Sequence, residues 1–492
     1  MIHQGNYMAL DFGAESGRAI IVSLKDGKAE LEEIHRFPNR PVLLGGTLHW
    51  DLPYLFNEIL TSLKIARIRE IPLDSIAVDT WGVDFGLLDC YGDLIGNPVH
   101  YRDSRTDDAK ADSPMDDEEI FSETGALPWN IGSLFQLKSL KDNKPEQLLR
   151  TDAFLNTPDL FNYLLCGEKK SELTIASTSL MADCEGRWSG KILDSFEIPF
   201  IFSEIIKPGV VLSTLRSELE DLTGYKGLKV LTTCSHDTAS VAAIVPERTG
   251  DTAFLSSGTW SILGKINDNA LTGLQYLQNG FTNEASLDSW YLCRNITGLY
   301  PFQELKREWE HSSDPWDYGK MCREAASAVS KGFVDLEQSD FQSPGHMTEK
   351  INRYLAGLNG KREELTRGEA AKVLLDSLAL EYAVNLENLE MLSGETIRTL
   401  FILGGGIKNT YLCQRTADLC GKRVIAGIDQ GTALGNGLVQ AYGLGHIGSA
   451  GEIRKIAADS FPMREYSPAF QEERKELINI YREMKEIKNE NE

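Results

Sequence analysis

Apolar positions in this chain fall into short runs, and the runs end on polar, glycine-bearing breaks. Tyr7–Leu10 is apolar and Ala19–Leu24 is apolar and partly β-branched. Between them lies Asp11-Phe12-Gly13-Ala14-Glu15-Ser16-Gly17-Arg18, so the pattern predicts a β-hairpin with a polar tip. A further run, Ser75–Val78, leads into Asp79-Thr80-Trp81-Gly82-Val83-Asp84, and Lys229–Thr233 leads into Cys234-Ser235-His236-Asp237-Thr238. Polar clusters at strand ends are where α/β sheets present their chemistry. The opening theme then recurs: a strand at Thr252–Leu255, a turn at Ser256-Ser257-Gly258-Thr259, and a strand at Trp260–Ile266. A strand–turn–strand theme repeated about half a chain apart predicts two related domains. The linker-like stretch Val245-Pro246-Glu247-Arg248-Thr249-Gly250 divides them into residues 1–245 and 246–492.

The second half adds helices. Thr366-Arg367-Gly368-Glu369 is a capping box, and Val373, Leu374, Leu378, Tyr382, Leu386 and Leu389 follow helical spacing up to a stop at Gly394. Thr399–Leu403 predicts a strand ending in Gly404-Gly405-Gly406; Val424–Ala426 predicts another, with a helix from about Thr432. Ser467-Pro468 reads as the start of a charged surface helix. Strands alternating with helices make the fold class α/β.

Composition narrows the partners. At 492 residues, 42% hydrophobic and 25% charged, the chain is long enough for two to four globular domains. Fifty Lys and Arg against 73 Asp and Glu leave a formal charge of −23, which excludes nucleic acid and an anionic membrane as main partners. A small anionic ligand needs only local N–H groups and a metal, so it stays open. No apolar run reaches the roughly 18 residues of a membrane span, and Met1–Tyr7 carries no signal-peptide pattern. The eight cysteines form no C-x-x-C pair, and free thiols in a reducing cytosol are expected, hence a cytoplasmic protein.

The turns carry the candidate chemistry. Gly13 and Gly17 would let backbone N–H groups reach a phosphate, or would serve a plain hairpin. Asp11 would hold magnesium through water, Arg18 would neutralise phosphate charge or pair with an acid, and Glu15 must point outward or face a metal. No Walker loop is present. The Ser256–Thr259 turn offers a second set of the same groups, so two turns would grip one polyphosphate. Gly404–Gly406 permits close approach by a flat ligand such as adenosine, or is simply a flexible loop. Asp237 is the best candidate base, against the alternative of a turn or N-cap aspartate. The aromatic, acidic and basic mixture at Asp79–Asp84 and Tyr101–Thr106 suits a sugar, or an ordinary ion-paired surface.

These segments, with Tyr101-Arg102-Asp103-Ser104-Arg105-Thr106, Ser235-His236-Asp237-Thr238-Ala239-Ser240 and Leu255-Ser256-Ser257-Gly258-Thr259-Trp260, stand in the order seen in FGGY carbohydrate kinases, which the chain resembles from about residue 7 to about residue 466. Within that family it is most similar to the branch acting on L-rhamnulose. The resemblance implies two RNase H-like domains of the actin/hexokinase type with an interdomain active-site cleft. It implies ATP, Mg2+ and transfer of the γ-phosphoryl to the C1 hydroxyl of a ketose. Asp237 then resembles the base and Asp11 the metal-linked aspartate. Ala14, Glu15, Ser16, Gly17, Arg18 and Thr259 resemble phosphate contacts. Gly82, Asp84, Tyr101, His236, Thr238 and Asn295 fall at the sugar, and Gln303, Gly404, Gly405, Gly406 and Asn409 at the nucleotide. The chain departs from the branch at Asn130…Ser133, at Tyr300, and at Asp429-Gln430-Gly431-Thr432. L-Fuculose or another deoxy-ketose or pentulose is the alternative acceptor. A non-catalytic sugar-responsive regulator and an actin-like ATPase are the readings from other classes. The sequence leaves the oligomeric state open.

Overall fold

The computed structural model describes residues 4–246, 250–310, 314–360, 364–469 and 473–489; Glu247, Arg248 and Thr249 of the expected linker lie outside the described residues. Two compact units emerge. Met1–Pro246, Ile266–Leu292 and Gly431–Ser460 make the first; Glu247–Lys265, Cys293–Gln430 and Phe461–Glu492 make the second. Compactness therefore does not follow one cut near residue 245, because two later segments return to the first unit.

In the first unit the opening run becomes β1 (Gly5–Phe12), buried from Tyr7 onward on both faces, which is why its apolar residues run together rather than alternate. It pairs antiparallel with β2 (Ser16–Lys25), and β2 with β3 (Lys28–Pro38). β4 (Ser75–Thr80) lies parallel to β1. The sheet is completed by β5 (Val211–Thr214) and β6 (Lys229–Leu231), in the order β5-β6-β4-β1-β2-β3. β3 is an edge, and its exposed glutamates blunt it. The Leu52–Ile68 helix, capped by the Asp51 side chain on the Tyr54 N–H, packs Leu55, Ile59 and Leu63 into a core with Met8, Leu10 and Val78. The Gly431–Gly443 helix packs on β1, β2 and β4. A Cβ on Gly437 would stand 2.4 Å from Val22, so glycine sets how close this helix lies to β2.

The second unit repeats the plan. β7 (Thr252–Ser257) and β8 (Trp260–Asn267) form the antiparallel hairpin. β9 (Thr399–Leu403) and β10 (Arg423–Ala426) follow in parallel, and β11 (Arg464–Tyr466) closes antiparallel, so that five of the sheet's seven strands run in the order β8-β7-β9-β10-β11, with Trp290–Thr297 and Thr282–Ala285 continuing it beyond β8. Hairpin, two parallel strands and an antiparallel edge match β2-β1-β4-β6-β5 strand for strand, so the repeat legible in the turns extends to whole sheets. The helix Arg367–Ser393 carries the expected capping box, and Gly394 closes it at φ 68°. The predicted helix start at Ser467-Pro468 is corrected: the helix runs Arg474–Asn489. The Ser467 carbonyl accepts from Gln414 and the Ala469 N–H donates to Asp418, so both groups are held by a neighbouring helix, Thr410–Cys420. All eight cysteines are free thiols.

Candidate active site

Strand register brings the first unit's acids together. Asp11 faces Arg18 across the hairpin and Asp79 across the parallel pair, and their side chains are buried at the sheet's end. Thr80 bridges to His236, which sets Asp237 beside them as the first residue of the Asp237–Ala243 helix. Arg18 is hydrogen-bonded to Asp11. Burial, then the Asp11 and Asp237 charges, drive the Asp79 carboxyl well above the usual range. Burial also raises Asp237, against the pull of His236 and with the push of Asp11. Asp79 Oδ2 accepts from Asn436 at 2.5 Å, while its buried Oδ1 has no partner among the described residues. Three converging carboxylates with one orphaned oxygen and one paired arginine fit a cation. Among the described residues no group of three or more His, Cys, Asp or Glu could hold a metal ion, so the mode that fits is binding through water.

Asp237 is oriented by its neighbours. The Thr238 N–H and hydroxyl donate to its Oδ1 at 2.6 and 3.1 Å, and 34% of the side chain stays exposed. His236 Nδ1 meets Glu284 at 2.9 Å, and Tyr291 donates its hydroxyl to the same carboxylate. Burial pulls the imidazole down, but Glu284's charge and hydrogen bond outweigh it and hold His236 at about 9. It is therefore a cation at neutral pH.

The glycine-bearing tip differs from the expected open cradle. Gly13 donates its N–H to Ser16 across the turn, and Gly17 is needed because a Cβ would meet the Phe37 ring at 2.2 Å. Ala14 and Ser16 are partly buried, and Glu15 points outward. Asn39 braces this tip, donating Nδ2 to Gly13 O and its N–H to Glu15 O. Asp84 offers no free carboxylate to a hydroxyl. It is buried and accepts from Trp50, Trp81 and Gln136 side chains at 2.6, 2.9 and 3.0 Å and from the Tyr101 N–H at 3.3 Å. Burial lifts it to about 6 despite those donors. Tyr101 is half-buried, stacked on His100 at 4.6 Å under the Arg102 guanidinium. Gly82 leads into Val83, whose φ of 67° is unusual for a β-branched residue; Thr178 and Ser133 bond its N–H and carbonyl. Ser133 thus touches the Gly82 loop, whereas Asn130 turns to Asp107.

In the second unit the Gly258 N–H closes on Trp260 O, and Leu299 and Tyr300 donate their N–H groups to Gly258 and Thr259. Gly298 permits this, since a Cβ would lie 2.6 Å from Trp260 backbone. The Thr259 hydroxyl reaches Gln303 at 3.3 Å, and Asn295 lies partly buried on the preceding strand, Trp290–Thr297. Gly404 and Gly406 lie against Ser257, where a Cβ would come within 2.8 and 2.1 Å of its atoms. The glycine run therefore packs against the β7 end and is not a loose loop. Gly405 faces open space, and Asn409 caps the Thr410–Cys420 helix. Sequence reasoning passed over Asn39, Glu172, Glu284 and Asn436. The readable signal was Asn436 with Gln440, two amides four apart in an otherwise apolar helix.

The doubled sheet defines an α/β fold of two related units, and family comparison says which. The N-terminal domain of the FGGY family of carbohydrate kinases matches residues 6–244, and its C-terminal domain matches residues 253–444. The chain belongs to this family and is a carbohydrate kinase with the actin/hexokinase-type fold. It is 34% identical over 469 residues to a rhamnulokinase of Bacteroides thetaiotaomicron, covering 94% of this chain and 96% of the relative. It is 33% identical over 465 residues to a rhamnulokinase of Oceanobacillus iheyensis, covering 94% and 98%. A xylulose kinase from Rhodospirillum rubrum superposes with a TM-score of 0.79 at 18% identity, over 99% of this chain and 98% of that one. A Plasmodium falciparum glycerol kinase with ADP does so at 0.78 and 14%, over 98% of each. At such identities these two speak for the fold alone. No helix among the described residues is long and apolar enough to cross a membrane.

Proposed function

We propose that this kinase transfers the γ-phosphoryl of ATP to the C1 hydroxyl of L-rhamnulose. The observation that carries the chemistry is the convergence of a partly exposed Asp237 with Asp11 and Asp79 at aligned strand ends. The relatives named above carry the choice of sugar. Asp237, held by Thr238, accepts the proton of the attacking hydroxyl. The His236 cation and Gly82 line the sugar's place beside it, and Tyr101 covers an apolar edge. Asp84 works one layer behind, fixing Trp50 and Trp81. Ala14–Arg18 of the first unit are assigned to the phosphates, and Thr259, Gln303, Gly404–Gly406 and Asn409 of the second to the nucleotide. Asn295 is assigned to the sugar on the resemblance alone. Asp11 and the orphaned Asp79 oxygen would hold magnesium through water, and the ion would supply positive charge at the phosphates. ATP as donor places the reaction in the cytoplasm.

The test is ADP release measured with L-rhamnulose, L-fuculose, L-ribulose, D-xylulose and L-xylulose side by side. L-Rhamnulose should give the highest kcat/KM. No sugar-dependent release with any of them would reject the reading. Asp237→Asn should bind the sugar and lose on the order of a hundredfold or more in kcat.

A further inference from the structure

Behind the Asp237 loop lies a carboxylate to which the proposed chemistry gives no part. Glu172 is fully buried, and among the described residues no lysine or arginine is bonded to it. A buried carboxylate without a cation is costly and persists only with several donors. Glu172 has four: the Thr174 N–H at 2.9 Å, the Thr174 hydroxyl at 2.6 Å, the Ile175 N–H at 3.3 Å and the Ser235 N–H at 3.1 Å. Two of the local bonds, from the Thr174 and Ile175 N–H groups, cap the short Leu173–Ala176 helix, a task that a neutral serine or asparagine performs as well. The fourth joins residues 63 apart in sequence and explains the carboxylate. Because the Thr174 hydroxyl gives its proton to Glu172, its lone pair is free to accept the His236 N–H at 3.2 Å. Thr80 holds the loop from the other side, donating its N–H to Ser235 O at 2.9 Å.

We infer that Glu172 is a positioning residue for phosphoryl transfer: with Thr174 it grips the two peptide N–H groups that precede Asp237 and so sets where the Asp237 carboxylate stands. The inference rests on Asp237 being the base. The same segment reaches the other loops of the proposed sugar side. Ser177 accepts from the Ala285 N–H, next to Glu284, and Thr178 accepts from the Val83 N–H, next to Gly82. A glutamine at 172 keeps the shape but replaces one acceptor oxygen with a donor, so either the Thr174 N–H on Oε1 or the three donors on Oε2, the Ser235 N–H among them, lose their acceptor. Protonated Glu172 has the same defect, and burial pushes this group up to about 7. The ionisable groups around it are Asp159, which accepts the Glu172 N–H and is itself raised by burial, and Cys234 and His236 on the gripped loop.

The experiment compares kcat of wild type and Glu172→Gln from about pH 5.5 to 8.5, with melting temperatures and the KM for ATP. At about pH 8 the variant should be tenfold or more slower with unchanged KM for ATP. The ratio of wild type to variant should shrink as pH falls through about 7, because wild type then acquires the variant's defect. A ratio that stays constant with pH, as a merely structural loss would give, overturns the inference; so does a variant within twofold of wild type at pH 8. If Glu172→Gln does not fold, Thr174→Val and Thr174→Ser carry the test. Valine should lose tenfold or more in kcat and serine should restore it, and a fully active valine variant overturns the inference. Asp237→Asn runs beside them: activity there sinks the base assignment itself, whereas an inactive Asp237→Asn with an unaffected Glu172→Gln sinks only the positioning role.

Discussion

His236 shows how much of a residue's character is assigned by partners distant in sequence. In the chain it is a histidine next to an aspartate; in the fold Glu284 and Tyr291 hold it charged. Its folded pKa lies above the unfolded value, so this contribution is fully present below about pH 6.5 and is lost as pH rises through about 9. The span corresponds to roughly 3 kcal/mol. The melting temperature of the wild type should therefore fall between pH 7 and 9, and Glu284→Gln should flatten that slope while raising the KM for the sugar. Asp237 stood out because an aspartate at a strand end beside His and Thr suits a base, and the Thr80–His236 bridge sets it beside the Asp11 and Asp79 strand ends. Asp84 was misjudged for the same reason: its motif is real, but Trp50 and Gln136, which consume its oxygens, lie 34 and 52 residues away. Glu172 and Glu284 sit in no motif and were invisible.

At the scale of elements, local rules served where local forces decide. The Arg367–Ser393 helix begins and ends at its capping box and Gly394, and β9 occupies Thr399–Leu403 as its apolar run predicts. Thr366→Ala should cost about 1 kcal/mol, seen as a drop of a few degrees in melting temperature with unchanged kcat. The Gly431–Gly443 helix answers to other constraints. A Cβ on Gly435 would come 2.0 Å from the Ser240 carbonyl oxygen, in the helix that Asp237 begins. Backbone cannot yield as a side chain does, so Gly435→Ala should destabilise by about 3 kcal/mol or more and lower kcat as well, since it displaces the base. Equal effects of the two substitutions on kcat would contradict this. The Ser467-Pro468 start failed because a good capping sequence was outbid by tertiary hydrogen bonds to Gln414 and Asp418.

For the whole molecule, the chain's return to its first unit has a direct consequence. Asn436 and Gln440 supply hydrogen bonds to Asp79, Ser75 and the Met8 carbonyl inside that unit. A fragment of residues 1–246 would leave Asp79 without a donor and the face of β1 and β4 beneath this helix bare. It should bind a hydrophobic dye and melt without a cooperative transition, whereas a sharp calorimetric transition would contradict this. The order of apolar runs, the polar strand ends and the duplicated turn determined by themselves a two-part α/β chain, because hydrophobic periodicity is a local property; the kinase reading came from the resemblance of its motifs to the FGGY family. Tertiary structure alone decided which acids converge, which histidine is charged, which glycines are demanded by contact, and that residues 431–460 complete the unit begun by residue 5. Those outcomes depend on side chains brought together across as many as 439 positions, as between Tyr7 and His446, and no local pattern encodes that distance.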